Sequence, residues 1–340
     1  MDRIHPDAVL VQDGGALPSI PGVDHYAGSE KLMRKALALQ IEQARNGVAT
    51  FDVTLDCEDG AAVGEEVAHT ELVSSLIMSD DNRFDRIGAR IHDVTHASWM
   101  TDLQNIVAAA GTRLAYLTLP KARGVSDVRR VLHVLRDAEQ RNGLHRRIAV
   151  HVLIETHGAL HQVWDIAGLD GVSSLDFGLM DFVSTHHGAI PGSAMQSPGQ
   201  FDHAILRRAK TEIVAAALAN SVVPTHNVTT ELNDAAKIRE DARRAREEFG
   251  FLRMWSIHPN QIGPILTAMQ PDYTELVEAT EVIAAAQDAS WGPIQMQGRL
   301  HDRASYRYYW NLLKRAHATG CELPGSAQER FFDASFYRNS

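Results

Sequence analysis

Eight short runs rich in β-branched and other apolar residues recur along the chain, each followed by a polar or glycine-bearing junction and then an amphipathic stretch. The runs are Pro18–Gly22, Phe51–Asp56, Ile87–His92, Leu114–Pro120, Ile148–Ile154, Ser174–Leu179, Ser221–Asn227 and Arg253–Ile257. A strand that leads into a helix and then into another strand returns to the same end of the sheet, so this rhythm specifies parallel pairing with helices outside it. Eight such units over residues 16–270 match the size of a (β/α)8 TIM barrel, about 250 residues. A doubly wound open sheet is the rival. No G-x-G-x-x-G follows the first run, and the count reaches eight, so the barrel is the expectation.

The intervening segments carry helix punctuation. Ser29 precedes an apolar face of Met33, Leu37, Ile41 and Ala44, with Gly47 beyond it, and Ser126 precedes Val128, Val131, Leu132 and Leu135, with Gly143 beyond. A third helix sets Leu232, Ala235, Ile238, Ala242, Ala245 and Phe249 against a densely charged, solvated face and ends before Gly250. The expected organisation is an N-terminal tail over 1–15, the barrel over 16–270 and a helical extension over 271–340. That extension contains a helix at Glu275–Asp288, a break at Trp291-Gly292-Pro293 and a helix near Asp302–His317, and it is long enough to form a lid over a neighbouring subunit. Tyr306, Tyr308, Tyr309 and Trp310 read as a packing surface.

Composition removes several classes of function. Lys and Arg number 33 against 43 Asp and Glu, a net charge of -10 without a basic block, which argues against nucleic acid as a partner. Cys57 and Cys321 are the only cysteines, so neither a disulfide framework nor a cysteine zinc site is expected, and a reducing cytoplasm is the default. The first twenty residues do not read as a signal peptide. The most apolar stretches, such as 213–219, fall far short of the roughly 20 residues that cross a bilayer, so no membrane association is expected.

A barrel of this kind builds its chemistry where the strands end. The polar residues there are Asp56, Glu58 and Asp59 after the second run, Arg90 and His92 on the third, Lys121 after the fourth, Glu155 after the fifth, Asp181 after the sixth, His226 on the seventh and His258 after the eighth. Carboxylates converging around one arginine repel each other unless protons or a cation intervene. Oxygen donors without cysteine or an H-E-x-x-H favour a hard ion, Mg2+, and Glu155 and Asp181, closing adjacent strands, could both reach it. Taken singly, Glu155 also reads as a carboxylate at a helix N-terminus, Asp181 as a cap and Arg90 as a buried ion-pair partner. Their common position at one rim favours the functional reading.

The chain resembles the citrate lyase beta-subunit-like proteins of the HpcH/HpaI aldolase superfamily, which includes malyl-CoA lyases. The resemblance rests on Leu55-Asp56-Cys57-Glu58-Asp59-Gly60, on Arg90 followed by Thr95 and Trp99, and on Leu119-Pro120-Lys121. It continues through Leu153-Ile154-Glu155-Thr156, Phe177-Gly178-Leu179-Met180-Asp181 and Ser256-Ile257-His258-Pro259-Asn260-Gln261, in order over about residues 17–320. It implies Glu155 and Asp181 as Mg2+ ligands, Glu58 and Asp59 holding the metal's waters, and Arg90 meeting a substrate carboxylate or ketone oxygen. Gly298-Arg299-Leu300-His301-Asp302 resembles the lid motif whose aspartate enters a neighbouring subunit's site as acid or base. This implies a catalytic Asp302 and a homo-oligomer, a trimer or a multiple of one.

The activity so implied is reversible cleavage of a carbon–carbon bond in a 3-hydroxy acyl compound, a coenzyme A thioester of the citryl or malyl type, releasing a 2-oxo acid. One departure bears on the carrier: Leu17-Pro18-Ser19-Ile20-Pro21-Gly22 lacks the arginine that coenzyme A users in the family carry at the first strand. Lys31, Arg34 and Lys35 are either phosphate contacts or a solvated helix face. Two alternatives stay open: hydrolysis of a malyl-type thioester at the same site, and a non-catalytic homologue.

Overall fold

The computed structural model describes residues 4–10, 17–45, 47–58 and 64–333. The chain folds as two compact units, one spanning 16–269 and the other combining the N-terminal residues to 15 with residues 270–340.

The larger unit is a closed barrel of eight parallel strands, each paired with the next and β8 with β1. They are β1 Val23–Ala27, β2 Asp52–Asp56, β3 Ile87–Arg90, β4 Leu114–Leu119, β5 Ala149–Ile154, β6 Val172–Phe177, β7 Val223–His226 and β8 Arg253–Ser256. The first strand corrects the sequence expectation of 18–22: Pro18 and Pro21 lack the amide donors a ladder needs, and pairing begins once they are passed. One helix start agrees and one differs. Ser29 stands at the N-cap of Glu30–Glu42 as expected, although its side chain makes no cap bond, and that helix ends well before Gly47. Ser126 lies inside the helix Val125–Arg141, because the Gln162 side chain accepts from the Val125 amide (2.9 Å) and Asp127 reaches back to the Arg123 amide (3.0 Å).

Alternation along the strands separates two environments. Val53, Ala89, Leu117, Val152 and Leu175 join helix residues such as Met33, Ile77, Ile106 and Leu135 in one buried aliphatic layer. The other face fills the barrel with polar groups where such barrels ordinarily hold branched aliphatics. Arg253 lies 3.0 Å from Asp24 and 2.8 Å from Asp52, and Asp52 also takes a forked pair from Arg86. Thr54 donates to Asp24 (2.8 Å), as does the Tyr116 hydroxyl (3.0 Å), and the Tyr116 ring stacks on His151. Gly88 makes room for that phenol, since a Cβ there would lie 2.1 Å from the ring.

In the second unit, helices Tyr273–Asp288 and Arg303–Ala318 pack with the short helix Pro6–Leu10 around Leu276, Ile283, Tyr306, Trp310 and Phe331. Tyr306 and Trp310 are buried, whereas Tyr308 is exposed. Strands β9 Ile294–Met296 and β10 Arg299–His301 form a hairpin across Gln297 and Gly298, both with positive φ (49° and 76°), as a type I′ turn requires. Among the described residues no helix is long and apolar enough to cross a membrane.

Candidate active site

Asp56 and Arg90 are register partners at the ends of β2 and β3, so their side chains meet across the strands. The guanidinium donates to both carboxylate oxygens of Asp56, at 2.7 Å each, and a third nitrogen lies 3.0 Å from Glu58. Lys121 Nζ sits 2.9 Å from the other Glu58 oxygen. These pairs fix the guanidinium plane in a largely buried setting, where paired charges hold each other in place.

After β4 the backbone turns sharply. Lys121 adopts a left-handed conformation (φ 47°), unusual for a residue with a Cβ, and this points its amide at Glu155 Oε1, 2.6 Å away. The other Glu155 oxygen lies over Gly178, where a Cβ would come within 2.0 Å of it. Asp181 follows in the first turn of the helix Leu179–Ser184, half-buried. Burial pushes the Glu155 carboxyl up to about 8, and the neighbouring Asp181 charge adds to the effect, while the Lys121 amide and Arg90 oppose it. A buried carboxylate beside a second one, with only oxygen donors, suits a hard divalent cation that supplies the missing positive charge.

Two aromatic rings complete this region. Tyr26 stacks on Trp255 (centroids 4.4 Å apart) and lies under Arg90, whose guanidinium carbon is 5.5 Å from the ring centre. The Tyr26 hydroxyl and the Trp255 N–H are buried without a hydrogen-bond partner among the described residues.

The structure thus gathers Glu58, Arg90, Lys121, Glu155 and Asp181 of the sequence candidates. His92, two residues past Arg90, pairs with Asp102 of the following helix, with Nδ1 2.6 Å from a carboxylate oxygen. His226 is not part of the group: it is wholly buried, 2.7 Å from Lys210 Nζ and stacked on Phe201. His258 accepts from Ser256 Oγ through its carbonyl (3.0 Å) and receives the Asn260 amide on its ring. Asp59 lies outside the described residues. Asp302 belongs to the second unit, where its side chain caps the helix Arg303–Ala318 by accepting from the amides of Ala304 and Ser305.

Among the described residues, Asp24, His151 and Asp176 also bring ligand atoms within 4.8 Å of one another. This trio lies inside the barrel, where Arg253 already neutralises Asp24. Burial raises the Asp176 carboxyl to about 7, so a proton can serve there in place of a cation. Gly178 stands within one of the sequence motifs, whereas the Lys121 amide, Tyr26, Trp255 and Asp102 carry no signal in the sequence.

Carboxylates gathered about one arginine at the strand ends of a (β/α)8 barrel stand where enzymes of this fold place their chemistry. The chain belongs to the HpcH/HpaI aldolase/citrate lyase family, whose profile matches residues 41–259, and it is a carbon–carbon lyase. It is 25% identical over 284 residues to an L-malyl-CoA/beta-methylmalyl-CoA lyase of Cereibacter sphaeroides, covering 78% of this chain and 86% of that protein. A malyl-CoA/beta-methylmalyl-CoA/citramalyl-CoA lyase of Chloroflexus aurantiacus is 23% identical, covering 75% of each. Among solved structures, a citrate lyase from Burkholderia xenovorans superimposes with a TM-score of 0.85 at 52% identity, covering 96% of this chain and all of that one. Protein CitE of Mycobacterium tuberculosis, in complex with magnesium, acetoacetate and coenzyme A, shares the fold with a TM-score of 0.66 at 23% identity over 88% of this chain and 98% of that one.

Proposed function

We propose that this chain is a Mg2+-dependent lyase that cleaves a 3-hydroxy acyl thioester of coenzyme A, of the malyl or citryl type, into an acyl-CoA and a 2-oxo acid. The observation that carries this reading is Glu155: a fully buried carboxyl beside Asp181, held by one backbone amide and a glycine cradle and raised to about 8. Such a group is poorly stable as an anion until a cation joins it. Glu155 and Asp181 would hold the ion, with Glu58 and Asp59 holding its waters. When bound, Mg2+ supplies a Lewis acid that polarises the carbonyl and carboxylate oxygens of a 2-oxo acid.

The chain's own residues orient the reactants. Arg90, fixed in plane by Asp56 and Glu58, presents N–H donors to a substrate carboxylate or to the oxygen that gains charge as the bond breaks. Tyr26, backed by Trp255, lies against that guanidinium and shields it from water, which strengthens its electrostatic effect. Asp302 would enter a neighbouring subunit's site as acid or base, in a trimer or a multiple of one. The malyl-CoA lyases among the relatives support the thioester class. On the helix Glu30–Glu42, Arg34 pairs with Glu30 in solvent and Lys31 and Lys35 are exposed, which supports the solvated-face reading of that segment.

Incubation with Mg2+ and malyl-CoA, citramalyl-CoA or citryl-CoA, with 2-oxo acids captured as phenylhydrazones, tests the proposal. Release of glyoxylate, pyruvate or oxaloacetate together with an acyl-CoA is expected. Free hydroxy acid plus coenzyme A would make the enzyme a thioester hydrolase, and no turnover of any of the three would reject the substrate class.

A further inference from the structure

Two residues beyond Arg90, just past the C-terminal end of β3 and within reach of the Glu58 charge, His92 forms a second polar assembly. Its Nδ1 lies 2.6 Å from Asp102 Oδ2, and the same oxygen accepts the His92 backbone amide at 3.2 Å. Asp102, in the first turn of the helix Trp99–Ala110, is buried, and its other oxygen accepts from Thr70 at 3.4 Å. The imidazole is stacked on His96, with centroids 4.0 Å apart and planes 12° from parallel. Position, tilt and tautomer of the ring are therefore fixed: Nδ1 carries the hydrogen toward Asp102, and Nε2 is the atom left to exchange a proton. A carboxylate that orients an imidazole in this way is the arrangement by which a histidine becomes an efficient base.

We infer that the His92–Asp102 pair is the proton carrier for the substrate's hydroxyl group, with His92 catalytic and Asp102 positioning it; this rests on the lyase reading above. In cleavage, the hydroxyl proton passes to His92 Nε2, the O–H electrons form the new carbonyl, and the carbon–carbon pair leaves as the enolate of the thioester. The enolate carbon takes a proton from the Asp302 carboxyl proposed to enter from the neighbouring subunit, and the imidazolium returns its proton to that carboxylate through water, so atoms and charge balance. In condensation the same imidazolium donates to the alkoxide.

The basicity of His92 is set by the groups around it. The bond to Asp102 raises it most, burial opposes it, and the charges of Asp102, Glu58 and Glu66 raise it further; the His96 ring lies against it and Arg90 stands two residues away. Cleavage needs neutral His92 and so falls as pH drops through its raised pKa. Condensation needs the charged form and falls as pH rises through the same value.

Two measurements separate this inference from the lyase reading. In the first, cleavage kinetics are followed against pH for the wild type, His92→Asn and Asp102→Asn, with thermal unfolding as the fold control. The pair predicts a loss in kcat of about 10²–10⁴-fold for His92→Asn with little change in KM, and disappearance of the acid limb. It predicts for Asp102→Asn a limb displaced to lower pH. Wild-type kcat and an unchanged limb in a folded His92→Asn variant would overturn the inference and leave the lyase reading standing. In the second, histidine 13Cε1 resonances of the wild-type protein, assigned with His92→Asn, are titrated with pH in the absence and presence of glyoxylate with Mg2+. A proton carrier at the reacting atoms must show a displaced titration when glyoxylate binds. Binding of glyoxylate that leaves the His92 titration unmoved overturns the assignment even if no thioester is cleaved. Where glyoxylate does not bind, the titration is read with pyruvate or oxaloacetate in its place, and failure of all three to bind overturns both readings.

Discussion

At the scale of single residues, the site depends on how Glu155 is held. Its two oxygens face a backbone amide on one side and the bare α-carbon of Gly178 on the other, so the position is set by backbone rather than by adjustable side chains. Gly178→Ala would force the carboxylate aside, and a displacement of about 1 Å costs around 10²-fold in rate. Steady-state kinetics of a folded Gly178→Ala variant should show that loss, whereas an unimpaired kcat would mean that the carboxylate has freedom to move. Glu155 and Asp181 stood out as candidates in the sequence because each follows an apolar run, Glu155 directly after β5 and Asp181 in the helical turn after β6. The Lys121 amide was not, because a backbone donor aimed by a positive φ leaves no residue-type signature. Asp102 was equally hidden: ten residues separate it from His92, and no spacing rule links the end of a strand to the next helix's first turn.

At the scale of elements, seven of the eight strands were readable from apolar runs because a buried parallel strand is apolar on the face that meets the helices. The first was misplaced because the sequence of β1, Val23-Asp24-His25-Tyr26-Ala27, carries the polar and aromatic residues of the barrel interior, whereas the proline-bearing stretch before it is more apolar. The hairpin of β9 and β10 was missed because its turn uses Gln-Gly in place of the stronger Asn-Gly signal. Asp302, which follows that hairpin, has one role visible in its own unit and one proposed at a neighbour's site. Asparagine caps helices about as well as aspartate but cannot exchange a proton at this position. Asp302→Asn should therefore leave the melting temperature unchanged and sharply lower kcat, while Asp302→Ala should also lose about 0.5–2 kcal/mol of stability. Wild-type turnover in Asp302→Asn would confine the residue to its cap.

At the scale of the whole molecule, the barrel is held by a charged interior and its mouth by an unbalanced one. Removing Arg253 would leave Asp24 and Asp52 buried without their partner, and Arg253→Met should cost about 3–5 kcal/mol in urea unfolding. A loss below 1 kcal/mol would mean that those carboxyls are held by their other partners. The mouth responds to pH in the opposite sense from an ordinary ion pair. Glu155 has its folded pKa raised to about 8, above the ordinary carboxylate value, so its contribution to stability is full at low pH and is lost as pH rises through about 8 in the metal-free protein. Thermal unfolding should show this decline, and Mg2+ should reverse it, because an ion that binds only the folded chain stabilises it by mass action. The measurement that tests the metal centre most directly is calorimetric titration with Mg2+ near neutral pH, in buffers of different ionisation enthalpy. One ion per chain, bound with release of a proton from Glu155, and binding severely weakened in Glu155→Gln and Asp181→Asn together with loss of turnover, is the predicted result. Undiminished Mg2+ affinity in both folded variants, or activity that survives EDTA, would contradict it.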